Sequence, residues 1–148
     1  MRFMEGYREF SKLMEYAKNV SLLMARVLVA YGFYIPSEIK WADPEAISLW
    51  FASMGIPFPL FTTYLVSVVE TMGIILLSLG LFTRLISFPL MIIMITAIFT
   101  VHIGNGFSAA NSGVEIPLYY LLFLFLFLTH GAGKISLDQL FFGKEEIK

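Results

Sequence analysis

Glu70 is the residue of this chain whose position most requires a chemical explanation. It lies inside an apolar segment that carries no other charged side chain between Leu60 and Thr83. At about 1.5 Å per residue, such a segment can cross a hydrocarbon core of about 30 Å. A carboxylate at that depth costs roughly 2.5 to 3.5 kcal/mol unless it is protonated or paired. Glu70 is therefore either one half of an ion pair or part of a functional site.

Arg26 is the partner that the depths of the charged side chains indicate for Glu70. Arg26 lies near the start of the first apolar segment, and Glu70 lies further from the corresponding end of the second. Counted along both helices, their backbones differ in depth by about 6 Å, which an arginine side chain can bridge. Two interpretations stay open: a structural ion pair that sets the register of the bundle, or a site that binds a ligand or moves protons.

A second polar cluster is predicted at the opposite end of the spans. His102 lies near the end of the third apolar segment, Glu115 opens the fourth, and Lys40 lies in a flanking loop. His102 is an interfacial histidine, a metal ligand or part of a polar ligand site, and Glu115 is either a helix-capping charge or a site residue. One histidine and one carboxylate are too few ligands to support a metal site, so we predict none. Tyr31 and Tyr64 offer further hydroxyl groups to a ligand.

The composition is that of a membrane protein with several spans. Of the 148 residues, 58% are hydrophobic and 14% are charged, and the mean hydropathy is +0.79. Globular domains carry about 25% charged residues. The net charge of −1 gives no support to nucleic-acid binding, which needs a basic surface. The chain has no cysteine, so thiolate and disulfide chemistry are excluded as mechanisms of its own.

These features predict an all-α, polytopic membrane four-helix bundle in a single domain. An amphipathic helix over 1–19 lies at the membrane surface, and a tail over 131–148 follows the last span. The first span ends at Pro36, because proline cannot continue the hydrogen-bond ladder of a helix. The four spans are predicted at about 20–35, 60–81, 85–103 and 115–130.

The loop between the first two spans carries a helix signal of its own. Asp43 and Pro44 have the N-cap and first-turn pattern of a helix start, and Gly55 provides a stop. We therefore predict a short interfacial helix over 44–54, with Trp50 in the aromatic belt of the membrane.

The distribution of Lys and Arg predicts the orientation of the bundle. Basic residues concentrate in the N-terminal segment, the 81–84 turn and the C-terminal tail, whereas the other two loops hold only Lys40. Cytoplasmic loops carry such an excess of basic residues. Both termini are therefore predicted to be cytoplasmic, which an even number of spans requires.

Two stretches carry a family resemblance. Glu70–Arg84 reads Glu-Thr-Met-Gly-Ile-Ile-Leu-Leu-Ser-Leu-Gly-Leu-Phe-Thr-Arg, and Gly131–Asp138 reads Gly-Ala-Gly-Lys-Ile-Ser-Leu-Asp. Together with Arg26, His102 and Glu115, they resemble the DoxX family of small prokaryotic integral membrane proteins. The resemblance implies a four-helix bundle in the prokaryotic cytoplasmic membrane.

The first span departs from the family pattern. The family often has a histidine beside the glycine that precedes the lysine, whereas this chain has Tyr31 and Gly32, with Lys40 several residues later. The family takes its name from a subunit linked to thiosulfate:quinone oxidoreductase. The resemblance therefore implies redox-linked membrane chemistry without fixing the reaction.

Three functions follow as hypotheses. The first is a redox-linked membrane subunit that binds a quinone or another lipophilic ligand within the bundle, an accessory subunit of an oxidoreductase rather than an independent enzyme. The second is a non-enzymatic assembly partner of another protein, and the third, ranked lowest, is a small solute or metal transporter. The expected partners are membrane lipid, an oxidoreductase subunit and a further copy of the chain. The candidate ligand-binding or proton-relay residues are Arg26, Glu70, His102, Glu115, Lys40, Tyr31 and Tyr64.

Overall fold

The computed structural model describes the backbone of residues 2–143 and the side chains of residues 4–143. These residues form α-helices joined by short connections, and no β-strand occurs among them. A π-helical turn over Ile98–His102 and a 3-10 turn over Ile103–Asn105 extend the fourth helix. The α-helices are α1 Arg2–Ala42, α2 Pro44–Ser53, α3 Pro59–Leu79, α4 Thr83–Ala97, α5 Glu115–His130 and α6 Leu137–Phe142.

The predicted all-α membrane bundle is confirmed. α1, α3 and α4 with its extension to Asn105 are long and apolar enough to cross a membrane. α1 packs mainly against α3, and α4 packs mainly against α5. α5 is apolar but has 16 residues, about 24 Å of helix, so its complete crossing stays a prediction. The buried core between the helices consists of Leu22, Val29, Ala30, Phe33, Leu77, Ile86, Leu90, Leu124 and Phe127.

α1 differs from the prediction at both of its predicted boundaries. The segment 1–19 is helical where described, but no break separates it from the first span, and the predicted end at Pro36 is wrong because the helix continues to Ala42. Pro36 removes only one hydrogen bond of the ladder, the one to Gly32, and a packed bundle tolerates such a loss. At about 61 Å, α1 is longer than a hydrocarbon core and must extend beyond it.

The predicted helix in the first loop is confirmed as α2. The Asp43 carboxylate accepts a hydrogen bond of 3.0 Å from the Ala46 backbone N–H, and Pro44 occupies the first turn. The N-cap and the proline therefore fix the start of the helix as the sequence indicated. α2 packs against α3, which places one of its sides over the spans.

The segment after α5 folds back onto the turn between α3 and α4. Asp138 accepts hydrogen bonds from the backbone N–H groups of Phe82 (2.7 Å) and Thr83 (3.0 Å), so it caps the first turn of α4. The backbone N–H of Asp138 in turn donates to the Gly80 carbonyl at 2.8 Å. The described part of the predicted tail over 131–148 is thus ordered against the bundle, and residues 144–148 lie outside the described residues.

Candidate functional site

A cavity of about 680 Å³ opens between the end of α1, α2, α3 and α4. Three titratable side chains line it: Lys40, Glu70 and His102. Most of the remaining lining is apolar and comes from all four helices. Representative wall residues are Ile39 of α1, Trp50 and Phe51 of α2, Val66 and Val69 of α3, and Ile93 of α4.

Glu70 forms an ion pair with Lys40 in the wall of this cavity. Lys40 Nζ lies 3.1 Å from Glu70 Oε1 and 3.0 Å from Oε2, and the two side chains are only 13% and 3% exposed. Lys40 Nζ also donates to the Pro36 carbonyl at 3.1 Å. The three N–H groups of the ammonium therefore have three acceptors, whereas the carboxylate oxygens keep lone pairs for a further donor.

The predicted pair between Arg26 and Glu70 is wrong. Arg26 is fully buried near the opposite end of the bundle, where Nη1 donates to the Leu77 carbonyl at 3.0 Å and Nη2 donates to the Ile135 carbonyl at 2.6 Å. Leu77 lies about 10 Å further along α3 than Glu70, so the depth count placed the two charges too close together. Because α1 continues through Pro36, Lys40 comes to the height of Glu70 and takes the place predicted for Arg26.

Arg26 joins three segments of the chain. Leu77 is in the last turn of α3, where its carbonyl also accepts the Gly80 backbone N–H at 3.2 Å, and Ile135 is in the segment after α5. Asp138 is close enough to interact with Arg26 electrostatically. Arg26 is thus a structural clasp, and the cavity lining does not include it.

Gly80 makes room for the Arg26 guanidinium. Its φ of +66° lies in the left-handed region, and a Cβ at this position would overlap Arg26 Nη1. We expect Gly80→Ala to lower the free energy of unfolding by about 2 to 4 kcal/mol, because the left-handed conformation and the displaced guanidinium both cost stability. Thermal unfolding in detergent measures the loss. Gly6→Ala is the matched control, since nothing lies within 4 Å of a Cβ there; equal melting of both variants would contradict the clasp.

His102 lines the cavity, but Glu115 does not. His102 Nδ1 lies 2.6 Å from the Ser112 carbonyl. A carbonyl only accepts, so Nδ1 carries a proton and a neutral imidazole keeps Nε2 as an acceptor. Glu115 instead accepts from the Ala109 backbone N–H at 2.8 Å and from the Tyr119 hydroxyl at 3.2 Å. The structure therefore separates the predicted outer cluster: His102 lines the cavity, whereas Glu115 stabilises the loop before α5.

The two predicted tyrosines also lie away from the cavity lining. Tyr31 is 71% exposed on α1, and the Tyr64 ring lies 6.2 Å from the Trp41 ring on another side of the bundle. Sequence reasoning missed the cavity wall that α2 provides through Trp50 and Phe51. The apolar side of α2 was the available signal, since a short helix at an interface buries that side against the spans.

Comparisons with known proteins agree on one family. A family model described as DoxX matches residues 21–103, more than half of the chain. An uncharacterized protein of Haemophilus influenzae is 39% identical over 128 residues, which cover 83% of this chain and 92% of that protein. The inner membrane protein YphA of Escherichia coli is 32% identical over 133 residues, covering 83% and 91%.

A more distant relative carries a name that refers to redox chemistry. This Bacillus subtilis protein, named "Putative oxidoreductase CatD", is 28% identical over 124 residues, which cover 84% of this chain and 89% of that protein. No solved structure matches the chain. The family match spans the first three apolar helices, including Arg26, Lys40, Glu70 and His102. This chain is a membrane protein of the DoxX family.

Proposed function

We propose that this protein is a redox-linked membrane subunit that binds a lipophilic ligand of the quinone class in the cavity beside Lys40 and Glu70. The observation that carries the proposal is a buried ion pair in the wall of a cavity whose remaining lining is mostly apolar. A ligand with a polar head and an apolar body matches that combination. Apolar pockets with a few convergent polar groups are the usual form of small-molecule sites.

The size of the cavity fits this class of ligand. Its volume of about 680 Å³ falls within the range of roughly 300 to 1,000 Å³ that is typical of ligand pockets. Its wall is formed by membrane helices and by α2 and is mostly apolar, so it suits a ligand that partitions into lipid. The aliphatic and aromatic side chains of Ile39, Phe51 and Ile93 would hold the apolar part of the ligand.

The polar groups favour a head group that donates hydrogen bonds. The Lys40 ammonium already has three acceptors, whereas Glu70 still has lone pairs to accept from a ligand hydroxyl. We therefore infer that the hydroxylated, quinol form binds better than the quinone. A quinol supplies two electrons and two protons when it is oxidised. Glu70 would accept one proton from the head group, and Lys40 would then stabilise the negative charge left on the head-group oxygen. His102 Nε2 offers an acceptor for the second proton.

The electrons require a partner, because the proposed chemistry of this chain is limited to protons. A partner oxidoreductase subunit would receive or supply them. The name of the Bacillus subtilis relative supports a redox role, and the name of the Escherichia coli relative supports location in the cytoplasmic membrane. With four spans, the basic N-terminal segment and tail would place both termini in the cytoplasm.

Filling the cavity tests the proposal without changing a charge. Val66 lines the cavity, whereas Val68 on the same helix is 42% exposed and does not. We expect Val66→Phe to reduce the quinone retained by the purified protein at least about tenfold, because a larger side chain occupies the volume that the ligand needs. Val68→Phe should retain the wild-type amount. Organic extraction followed by chromatography measures the retained quinone.

Two results would contradict the binding site. One is equal retention of quinone by Val66→Phe and Val68→Phe. The other is wild-type protein that retains neither quinone nor quinol after purification from native membranes and takes up neither form when it is added in detergent.

A second candidate function, assembly with another protein, is favoured by the N-terminal part of α1. From Met4 to Lys18 every side chain is exposed except the half-buried Ser11. Tyr7, Phe10 and Met14, which are 66%, 57% and 43% exposed, follow one another at helical spacing. A photoreactive amino acid that replaces Phe10, irradiated in native membranes, tests this role by crosslinking. A heterologous adduct supports assembly with another subunit, a homodimer supports self-association, and an unreacted protein opposes both.

A further inference from the structure

A second cleft, of about 790 Å³, lies at the end of the bundle opposite to the Lys40–Glu70 pair. Three parts of the chain form it: α1 around Lys18 and Asn19, the start of α4, and the end of α5 with the segment 131–143 that follows. Its lining is more polar than that of the first cavity and includes several basic side chains. The proposed function uses none of them.

The cleft has an excess of positive charge. Lys18, Arg84 and Lys134 line it together with His130, against one carboxylate, Asp138. Asp138 already accepts the two backbone N–H groups at the start of α4. Neither of the ion pairs between described residues includes any of these three basic side chains. The cleft is thus suited to an anion.

The basic residues are held in place by the local backbone. The Lys134 backbone N–H donates to the Asn19 side chain at 2.9 Å, which joins the segment after α5 to the N-terminal half of α1. Gly131 has a φ of +74°, and Arg84 lies against it. The left-handed conformation favours glycine and leaves this surface open to the guanidinium. Three separate segments of the chain therefore bring their positive charges together in this cleft.

A buried hydroxyl in the same wall also lacks a partner. The side chain of Thr83 is fully buried and lines the cleft, and its Oγ1 has no hydrogen bond with any residue in the described part of the chain. Buried hydroxyl groups usually have a partner, and an unmatched one calls for an explanation such as a bound water, ion or ligand. A phosphate oxygen is an acceptor of the required kind.

We propose that this cleft binds the phosphate group of an anionic phospholipid in the leaflet that faces the N terminus. Basic pockets between membrane helices on the cytoplasmic side bind such head groups. A lipid is favoured over free phosphate because Phe82, Leu85 and Phe142 also line the cleft, and the Phe82 and Phe142 rings lie 5.7 Å apart. These side chains give the glycerol and acyl part of a lipid an apolar surface beside the charges.

The test compares two double variants that remove the same charge. Arg84→Gln/Lys134→Gln removes two basic groups from the cleft, and Arg8→Gln/Lys12→Gln removes two from the exposed N-terminal part of α1. The full chain is purified in mixed micelles of phosphatidylglycerol and phosphatidylcholine, and native mass spectrometry measures the lipid retained. We expect the cleft variant to lose its preference for phosphatidylglycerol at least about tenfold, while the control keeps it.

Inorganic phosphate distinguishes the two sources of the anion. If the cleft takes a lipid, millimolar phosphate displaces little phosphatidylglycerol from the wild type, since phosphate lacks the apolar part. Phosphate binding without retention of phosphatidylglycerol would overturn the proposal, and so would equal retention by the cleft variant and the control. Melting temperatures of both variants close to that of the wild type show that any loss comes from the site and not from unfolding.

Discussion

Replacing Glu70 by Gln is expected both to weaken ligand binding in the cavity and to destabilise the protein. The substitution leaves the Lys40 ammonium, 13% exposed, without its carboxylate partner. Removing one member of a buried ion pair costs about 3 to 5 kcal/mol, because the remaining charge is left uncompensated. Ligand affinity should fall at least about tenfold, the effect of losing one charge-assisted hydrogen bond. Unfolding in detergent and quinone retention measure the two effects.

The double variant Lys40→Met/Glu70→Gln separates stability from binding. It removes the stranded charge, so most of the lost stability should return, since buried ion pairs are replaceable by apolar groups of similar volume. Quinone retention should stay low, because the carboxylate is still absent and the amide oxygen that replaces it is an uncharged, weaker acceptor. Restored binding in the double variant would show that the pair is structural only.

Replacing Arg26 by Met is expected to destabilise the protein without affecting the cavity. The variant loses the hydrogen bonds to the Leu77 and Ile135 carbonyls, which tie α3 and the segment after α5 to α1. Each hydrogen bond from a charged group contributes roughly 1.5 to 3 kcal/mol, so the expected loss for the two is about 3 to 6 kcal/mol. Thermal unfolding in detergent measures it.

Arg26→Lys is the informative control for the clasp. Lysine keeps the charge but lacks the planar fork that reaches two carbonyls at once, so an intermediate loss of stability is expected. Quinone retention per folded molecule should stay at the wild-type value in both variants, because Arg26 lies about 21 Å from Lys40 along α1. A specific loss of quinone retention in Arg26→Met, with unchanged stability, would show that Arg26 belongs to the ligand site.

The elements of the fold were largely predictable because each has a local cause. Apolar runs of sufficient length predicted the spans of α3 and α4, and Asp43 followed by Pro44 predicted the start of α2. Pro36 was misread because its effect depends on the surroundings. In water a proline commonly ends a helix, but in a membrane bundle the backbone gains more by remaining helical.

The site was predictable in its residue types and not in its pairing. A lone carboxylate in an apolar run marked Glu70, and its partner had to be a basic residue. The prediction assigned Arg26 and placed Lys40 in a separate outer cluster. The choice depends on where α1 ends and on how α1 and α3 are aligned along their axes. Small errors in both led to the pairing of Arg26 with Glu70, whereas Arg26 bonds Leu77, about 10 Å from Glu70 along α3. The cavity itself depends on the docking of α2. The apolar side of α2 indicated that it packs on the spans, but not against which of them.

Tryptophan fluorescence tests the central claim most directly. Trp50 lines the cavity, whereas Trp41 donates to Thr71 at 2.9 Å outside it, and the chain has no other tryptophan. In a Trp41→Phe background, a short-chain benzoquinone should quench Trp50 saturably, and the corresponding hydroquinone should compete at lower concentration. Val66→Phe should abolish the saturable phase. Quenching that rises linearly and equally in both proteins would show only partitioning into detergent and would contradict a ligand site beside Lys40 and Glu70.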